Sequence, residues 1–276
     1  MVDRGEQQFE EFGEWERVAW ERCAAPYAES LGDLTRGSVG ALLDAAAVGP
    51  ETRVLDVGTG PGFVAQAAIE RGAVVRGVDQ SAAMVRTARE SGVEAVQSSA
   101  EKLPFDGGTF DAVVGGYVLN HLPRPKAAVK ELRRVLAPGG RLAMTNWNVP
   151  TTNPVIGLFG PVVTELGLKV SGPVGPDPYL FCDESQTQTL LAGWEGVRLT
   201  ETHWGILVRP GAWFDAVADS TPRTGAVLAQ AGAVLRAKAR QRYVETATQR
   251  FGTPGDDGRV ALPACAVLIA AVKPAN

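Results

Sequence analysis

Apolar and polar positions in the first half of the chain alternate in blocks that predict strands separated by helices. RVLDVG at 53–58 is a nearly continuous apolar run, the pattern of a strand buried on both faces. A helix from Gly62 to about 71 follows, then a strand at 73–79, a helix at 81–91 that Ser81 can cap, and a strand at 93–97. Another strand is expected at 110–116, after the turn-forming FDGGT. Residues 125–136 open with Pro125 and carry an apolar stripe of Ala128, Val129, Leu132, Val135 and Leu136 before the stop Pro138-Gly139-Gly140. That is an amphipathic helix with its usual start and end signals, and a strand at 140–147 comes next. Upstream, 14–30 places Trp15, Val18, Ala19, Arg22 and Cys23 at helical spacing, and a second helix covers 34–47 ahead of Gly49-Pro50.

Such alternation implies an α/β fold, a parallel sheet wound right-handedly with helices on both faces. Ligands of such sheets sit at the carboxyl ends of the strands. Beyond 148 the rhythm breaks. Residues 149–178 are rich in Pro and Gly, 184–192 reads as a helix, 196–209 as a strand, 211–251 as a helical stretch and 259–273 as a last strand. The apolar run from Val260 to Val272 contains Pro263 and is too short to span a membrane.

The 276 residues are 45% hydrophobic and 21% charged, which excludes a wholly disordered chain. A net charge of −4 argues against a nucleic-acid polymer as partner, and RAKARQR at 236–242 reads as a solvated helix face. Cys23, Cys182 and Cys265 form no CxxC pair, and the charged N-terminus has no apolar leader. Both point to a cytoplasmic protein with reduced thiols, no disulfide framework and no metal site.

The chemistry is concentrated in VLDVGTGPG at 54–62. Gly58 and Gly60 would suit a dinucleotide turn, but GxGxxG needs a third glycine where this chain has Phe63. Asp56, just before the turn, would repel a pyrophosphate and suits a ligand with positive charge. Asp79, closing the second strand, is placed for a ribose diol. A cationic nucleoside satisfies both acids, whereas a turn whose glycines only permit tight packing is the plain alternative.

VLDVGTGPG resembles motif I of the class I S-adenosylmethionine-dependent methyltransferases, and GVDQSAAMVRTARE resembles their acidic second-strand motif. The block from SSAEKLPF to LAMTNW resembles the ubiquinone/menaquinone-type and small-molecule branch. The resemblance covers roughly 40–148. It implies a Rossmann-like, doubly wound, seven-stranded, mostly parallel sheet with an antiparallel last strand, N-terminal helices and helical lid insertions. The chain would then divide into a helical lid segment 1–48, a cofactor-binding core 49–148, an insertion 149–195, and 196–276 with two strands and the insertion near 211–251.

The resemblance implies S-adenosyl-L-methionine as cofactor and S-adenosyl-L-homocysteine as product. Asp56, Gly58, Thr59, Gly60 and Gly62 would line its methionine half, Asp79 with Gln80 would take the ribose, and Met84 would face the adenine. Ser99 stands where the family usually has an acid for the adenine amino group, with Ala100 and Glu101 beside it. Gly116 and Tyr117 would cover the methionine moiety, and Tyr27 would reach its carboxylate, unless it only packs a helix.

Of the two histidines, His121 in LNHLP falls on the ligand edge and is the candidate general base, or else a residue that orders its loop. His203 is a weaker candidate. Trp15, Trp20, Trp147, Trp204 and Trp213 suggest a flat-walled space for a ring-bearing acceptor, though each alone is more often core. The expected reaction is methyl transfer to a small organic acceptor by a monomer or homodimer. Competing readings are a non-methylating reaction such as a cyclisation with the same cofactor, an RNA or DNA methyltransferase, and an NAD-dependent dehydrogenase disfavoured by Phe63 and Asp56.

Overall fold

The computed structural model describes residues 4–169, 172–252 and 255–275. The first three residues of the expected lid segment 1–48, and two of the expected insertion 149–195, therefore lie outside the described residues. Three helices open the chain: α1 (Arg4–Ser30), α2 (Gly32–Arg36) and α3 (Val39–Ala45). The alternation follows as β1 (Arg53–Val57), α4 (Phe63–Glu70), β2 (Val74–Asp79), α5 (Ala82–Glu90), β3 (Ala95–Gln97), β4 (Phe110–Gly116), α6 (Pro125–Val135) and β5 (Leu136–Trp147). Then come α7 (Pro154–Gly157), α8 (Phe159–Glu165), α9 (Glu184–Leu190), β6 (Glu195–Val208), α10 (Pro210–Ser220), α11 (Pro222–Gln230), α12 (Gly232–Phe251) and β7 (Val260–Val272).

The seven strands form one sheet in the order β3-β2-β1-β4-β5-β7-β6, with β7 antiparallel to both its neighbours. Successive side chains leave a strand on opposite faces, and the core divides accordingly. Leu55, Val57, Val113, Leu142 and Met144 pack with α6, while Val54, Ala112, Val114 and Ala143 pack with α3, α4 and α5. Burial on both faces is why these strands read as continuous apolar runs. A third core unites Leu31 and Leu34 with α8, α10, α12 and the start of β7. Chain order reverses between β1 and β4, so a crevice opens at their carboxyl ends.

Several boundaries differ from the sequence reading. The predicted helix 34–47 is two helices broken at Gly37, where a Cβ would collide with the Trp204 ring. The stretch 211–251 is three helices, because Pro222 has no N–H to continue α10. β5 begins at Leu136, not 140, with a register shift across Pro138-Gly139-Gly140 that the sequence suggested as a plain stop. α1 starts ten residues earlier than expected and presents a different stripe. Val18 is exposed, and the buried residues are Phe12, Glu16, Ala19, Cys23 and Ala24. Pro263 is tolerated inside β7 because β5 pairs only with Ala266–Val272, leaving Pro263 with one neighbouring strand. Among the described residues no helix is long and apolar enough to cross a membrane.

Candidate active site

The glycine turn is built by backbone need. Gly58, Gly60 and Gly62 all have positive φ (67°, 53° and 95°), which other L-residues adopt at a cost. A Cβ on Gly58 would lie 2.5 Å from Val118, whereas one on Gly60 would meet open space, its nearest atom 4.0 Å away. The opening in front of Gly60 belongs to a cavity of about 600 Å³ at the carboxyl ends of β1, β2 and β4. α1 closes it from above with Glu10, Gly13, Arg17 and Trp20.

Asp79 stands at the edge of this cavity. Its carboxylate accepts from Gly60 N at 3.0 Å and Ser81 N at 2.9 Å. Burial pushes its pKa up to about 6 against those two donors, with His121 lowering it slightly. Gln80, Met84, Ser99, Ala100, Glu101, Gly116, Tyr117, Tyr27 and His121 also line the cavity, as do the turn residues Gly58, Thr59 and Gly60. Ser99 Oγ accepts from Glu101 N at 3.1 Å, which leaves its own hydrogen free to donate. Glu101 lines the wall, but its oxygens are taken by Arg124 N and Nη1. Burial pushes the Tyr27 phenol up to about 12. Tyr117 has φ 57°, a left-handed conformation held by stacking on Trp147 at 3.9 Å and a 2.8 Å hydrogen bond with Ser38.

Two of the expected cofactor residues do not reach the cavity. Asp56 is fully buried with Val54 on the α4 side of β1, and its Oδ2 accepts from Thr59 Oγ1 at 2.7 Å beneath the turn. Burial pushes its pKa up to about 7. The strand's period of two sets this direction, so Asp56 shapes the turn and does not line the cavity. Gly62 sits against α5 and the turn after it, where a Cβ would lie 3.6 Å from Ala88 and 3.0 Å from Val93.

The aromatic wall is also smaller than expected. Trp20 alone of the proposed tryptophans lines the cavity; Trp147 and Trp204 stack behind Tyr117, Trp15 stacks on Phe12, and Trp213 is buried with Nε1 donating to Val155 O. His203 lies away on β6, directly across from Cys265 on β7. With Glu201 these two bring ligand-type atoms within 4.8 Å of one another, a grouping the sequence reading did not foresee. Its atoms already have partners: Glu201 takes His203 and Asn148, and Asn148 also donates to Cys265 Sγ. The arginines of the basic run on α12 are paired, Arg236 to Asp219, Arg240 to Asp215 and Arg242 to Glu165.

Sequence reasoning expected a lid from this segment, with Trp20 and Tyr27 at the site, but missed the polar residues that α1 brings to it. Glu10, Arg17 and Trp20 line the cavity, and Glu16 bonds His121 Nδ1 at 2.8 Å across 105 residues. The available signal was an acid at 16 on a stripe of Phe12, Ala19 and Cys23.

Comparison with known proteins bears on the family and the fold. A family profile described as a methyltransferase domain matches residues 55–144. The demethylmenaquinone methyltransferase of Beutenbergia cavernae is 32% identical over 183 residues, covering 60% of this chain and 75% of the relative. That of Mycolicibacterium gilvum is 31% identical over 180 residues, covering 59% and 77%. The chain belongs to the class I S-adenosylmethionine-dependent methyltransferases. The fold agrees: the YcgJ protein of Bacillus subtilis superposes with a TM-score of 0.55 at 24% identity, over 86% of this chain and 98% of that one. A Haemonchus contortus phosphoethanolamine N-methyltransferase, solved with S-adenosylhomocysteine, superposes at 0.50 and 19% identity, over 86% and 52%.

The relatives place this methyltransferase in the quinone-type branch, and its cofactor is S-adenosylmethionine. The cavity fits that molecule. A bare backbone faces open space at Gly60, an acid closes the second strand at the cavity edge, and neighbouring N–H groups preorganise that acid.

Proposed function

We propose that this methyltransferase methylates a small, ring-bearing, quinone-like acceptor bound under α1. The observation that carries the reading is the cavity roofed by α1, in which Trp20, Tyr27 and Tyr117 supply apolar ring faces beside a single imidazole, His121. The cofactor supplies a sulfonium methyl group of high intrinsic reactivity. The protein's part is alignment, exclusion of water and proton removal. Orientation alone is worth effective molarities of about 10⁵ M and above, so a sparse site suffices.

In this reading the bare backbone of the 58–60 turn borders the methionine half, its Thr59 and Gly60 amides being taken by Val78 O and Asp79, with Gly116 and Tyr117 over it. Asp79 accepts from the ribose hydroxyls with Gln80 beside it, and Met84, Ser99 and Ala100 border the adenine. Tyr27 stands close to the methionine carboxylate. α1 and the helices α10 to α12 act as the lid over this core. His121 is the general base. Its ring packs edge-on against Trp20, with centroids 5.0 Å apart, which fixes its plane at the cavity wall.

The relatives are named for demethylmenaquinone, so reduced quinones and hydroxylated aromatic rings are the first acceptors to test. Release of S-adenosylhomocysteine dependent on one of these compounds, with mass gain of one methyl in the acceptor, is the expected result. His121→Ala should then lower the single-turnover rate by about 10²–10⁴-fold with cofactor affinity held within about threefold. A rate within threefold of the parent removes the base and leaves alignment as the mechanism.

A further inference from the structure

His121 is gripped from behind. Its Nδ1 lies 2.8 Å from Glu16 Oε2, and its Nε2 lies 3.1 Å from Asn120 Nδ2. An amide nitrogen only donates and an ionised carboxylate only accepts. With the Asn120 amide in this orientation, which leaves its Oδ1 without a partner, the network has hydrogen on Nδ1, donated to Glu16, and a lone pair on Nε2, accepting from Asn120.

Glu16 is unusual for its place. It is fully buried on α1, between Phe12 and Ala19 on the stripe that packs inward. Its Oε1 has no hydrogen-bond partner, and Arg223 Nη2 of α11 lies 3.6 Å away. The same Arg223 nitrogen donates to Asn120 O at 3.3 Å. A buried carboxylate with one bare oxygen is costly, and an apolar residue would pack this helix better. The position is understandable if the charge serves the imidazole.

We propose that Glu16 is a positioning residue: it holds His121 with its hydrogen on Nδ1, so that Nε2 is the basic atom offered to the acceptor, and it does so only when α1 is seated. This rests on the reading of His121 as the base. In the reaction the acceptor's proton moves to Nε2 as the Asn120 amide swings aside. The electron pair left on the acceptor forms the bond to the methyl carbon, while the pair of the broken sulfur–carbon bond stays on sulfur. The imidazolium that results faces the Glu16 carboxylate, so the charge created by the proton transfer is met by one already in place. Arg223, arriving from α11, limits the cost of burying Glu16 beforehand. Because Glu16 and Arg223 ride on helices and His121 on the β4–α6 connection, the base is set by the same closure that covers the cavity.

The test uses the full chain with S-adenosylhomocysteine bound. Long-range proton–nitrogen NMR reads the hydrogen position on each imidazole, and with only two histidines in the chain His203→Gln assigns the spectrum. The parent should show an unprotonated Nε2 on His121 at neutral pH. Glu16→Gln should turn this into a mixture and lower kcat by about 10²-fold or more, with cofactor affinity within threefold; Glu16→Asp should recover part of both. A parent spectrum with hydrogen on Nε2 overturns the proposal without any variant. So does Glu16→Gln with unchanged hydrogen position and unchanged kcat. A His121→Ala rate within threefold instead removes the underlying base assignment, a different result from either of these.

Discussion

Replacing Asp79 by asparagine should separate cofactor affinity from stability. The carboxylate stabilises the turn through Gly60 N and Ser81 N, yet burial holds its pKa near 6 and not at the ordinary 3.8. An acid with a raised folded pKa binds more protons folded than unfolded between those values. Its contribution to stability therefore falls as pH rises from about 4 to about 6 and is lowest above that range. At pH 7 the cost of ionising it in place is about 3 kcal/mol. Asp79→Asn removes that cost but keeps an acceptor for only one of the two N–H groups, a loss of about 1.5–3 kcal/mol. The two nearly cancel, so the cofactor-free variant should melt within about 5 °C of the parent at pH 7. Cofactor binding has no such compensation. Hydroxyl donors lose a charged acceptor, and the dissociation constant measured by calorimetry should rise about 10- to 150-fold. The parent's affinity should also tighten as pH rises through about 6, while that of Asp79→Asn stays flat. A variant that binds within threefold of the parent, or melts 10 °C lower, refutes the reasoning.

Other substitutions test the remaining walls. Gly58→Ala combines a φ of 67° with a Cβ 2.5 Å from Val118, so thermal melts should report a loss of about 1–3 kcal/mol; an unchanged melt would mean that the turn is looser than described. Tyr117→Phe removes the bond to Ser38 while keeping the stack on Trp147, and should cost about 0.5–1.5 kcal/mol in chemical denaturation, a result sunk by equal or greater stability. Arg124 ties the start of α6 to Glu6 on α1 and to Glu101. Arg124→Ala should lower stability by no more than about 1 kcal/mol yet speed release of S-adenosylhomocysteine several-fold in stopped-flow, and an unchanged release rate would show that α1 does not roof the cavity.

The core of the fold was legible because its signals are local. β1, the glycine turn and Asp79 lie within one strand–helix–strand unit, where spacing along the chain is spacing in the site. The direction of Asp56 was legible in principle, since Val54 and Asp56 share a face, but attraction between unlike charges suggested the opposite face. The roles of Glu16, Arg17 and Arg124 were not legible, because each depends on how α1 crosses the carboxyl edge of the sheet. Trp147 and Trp204 were placed at the ligand for the same reason, when the tight approach of Gly37 to Trp204 directs that ring into packing. The break of 211–251 into three helices was signalled by Pro222 and Gly232, which a purely compositional reading of the stretch passed over.

The placement of β7 between β5 and β6 has a consequence for the growing chain. β6 leaves the ribosome before β7, yet β7 is its sheet neighbour, and α10 to α12 are made in the interval. At synthesis rates of about 5–20 residues per second, β6 waits some seconds for its partner. During that time residues 141–147 of β5 present an open row of N–H and C=O groups to whatever strand is near. The floor of the cofactor cavity, made by β1, β2 and β4, is complete before this gap closes. A nascent or truncated chain ending ahead of residue 260 therefore carries a finished nucleotide floor beside an unpaired apolar edge, and its hazard is strand exchange with a second copy.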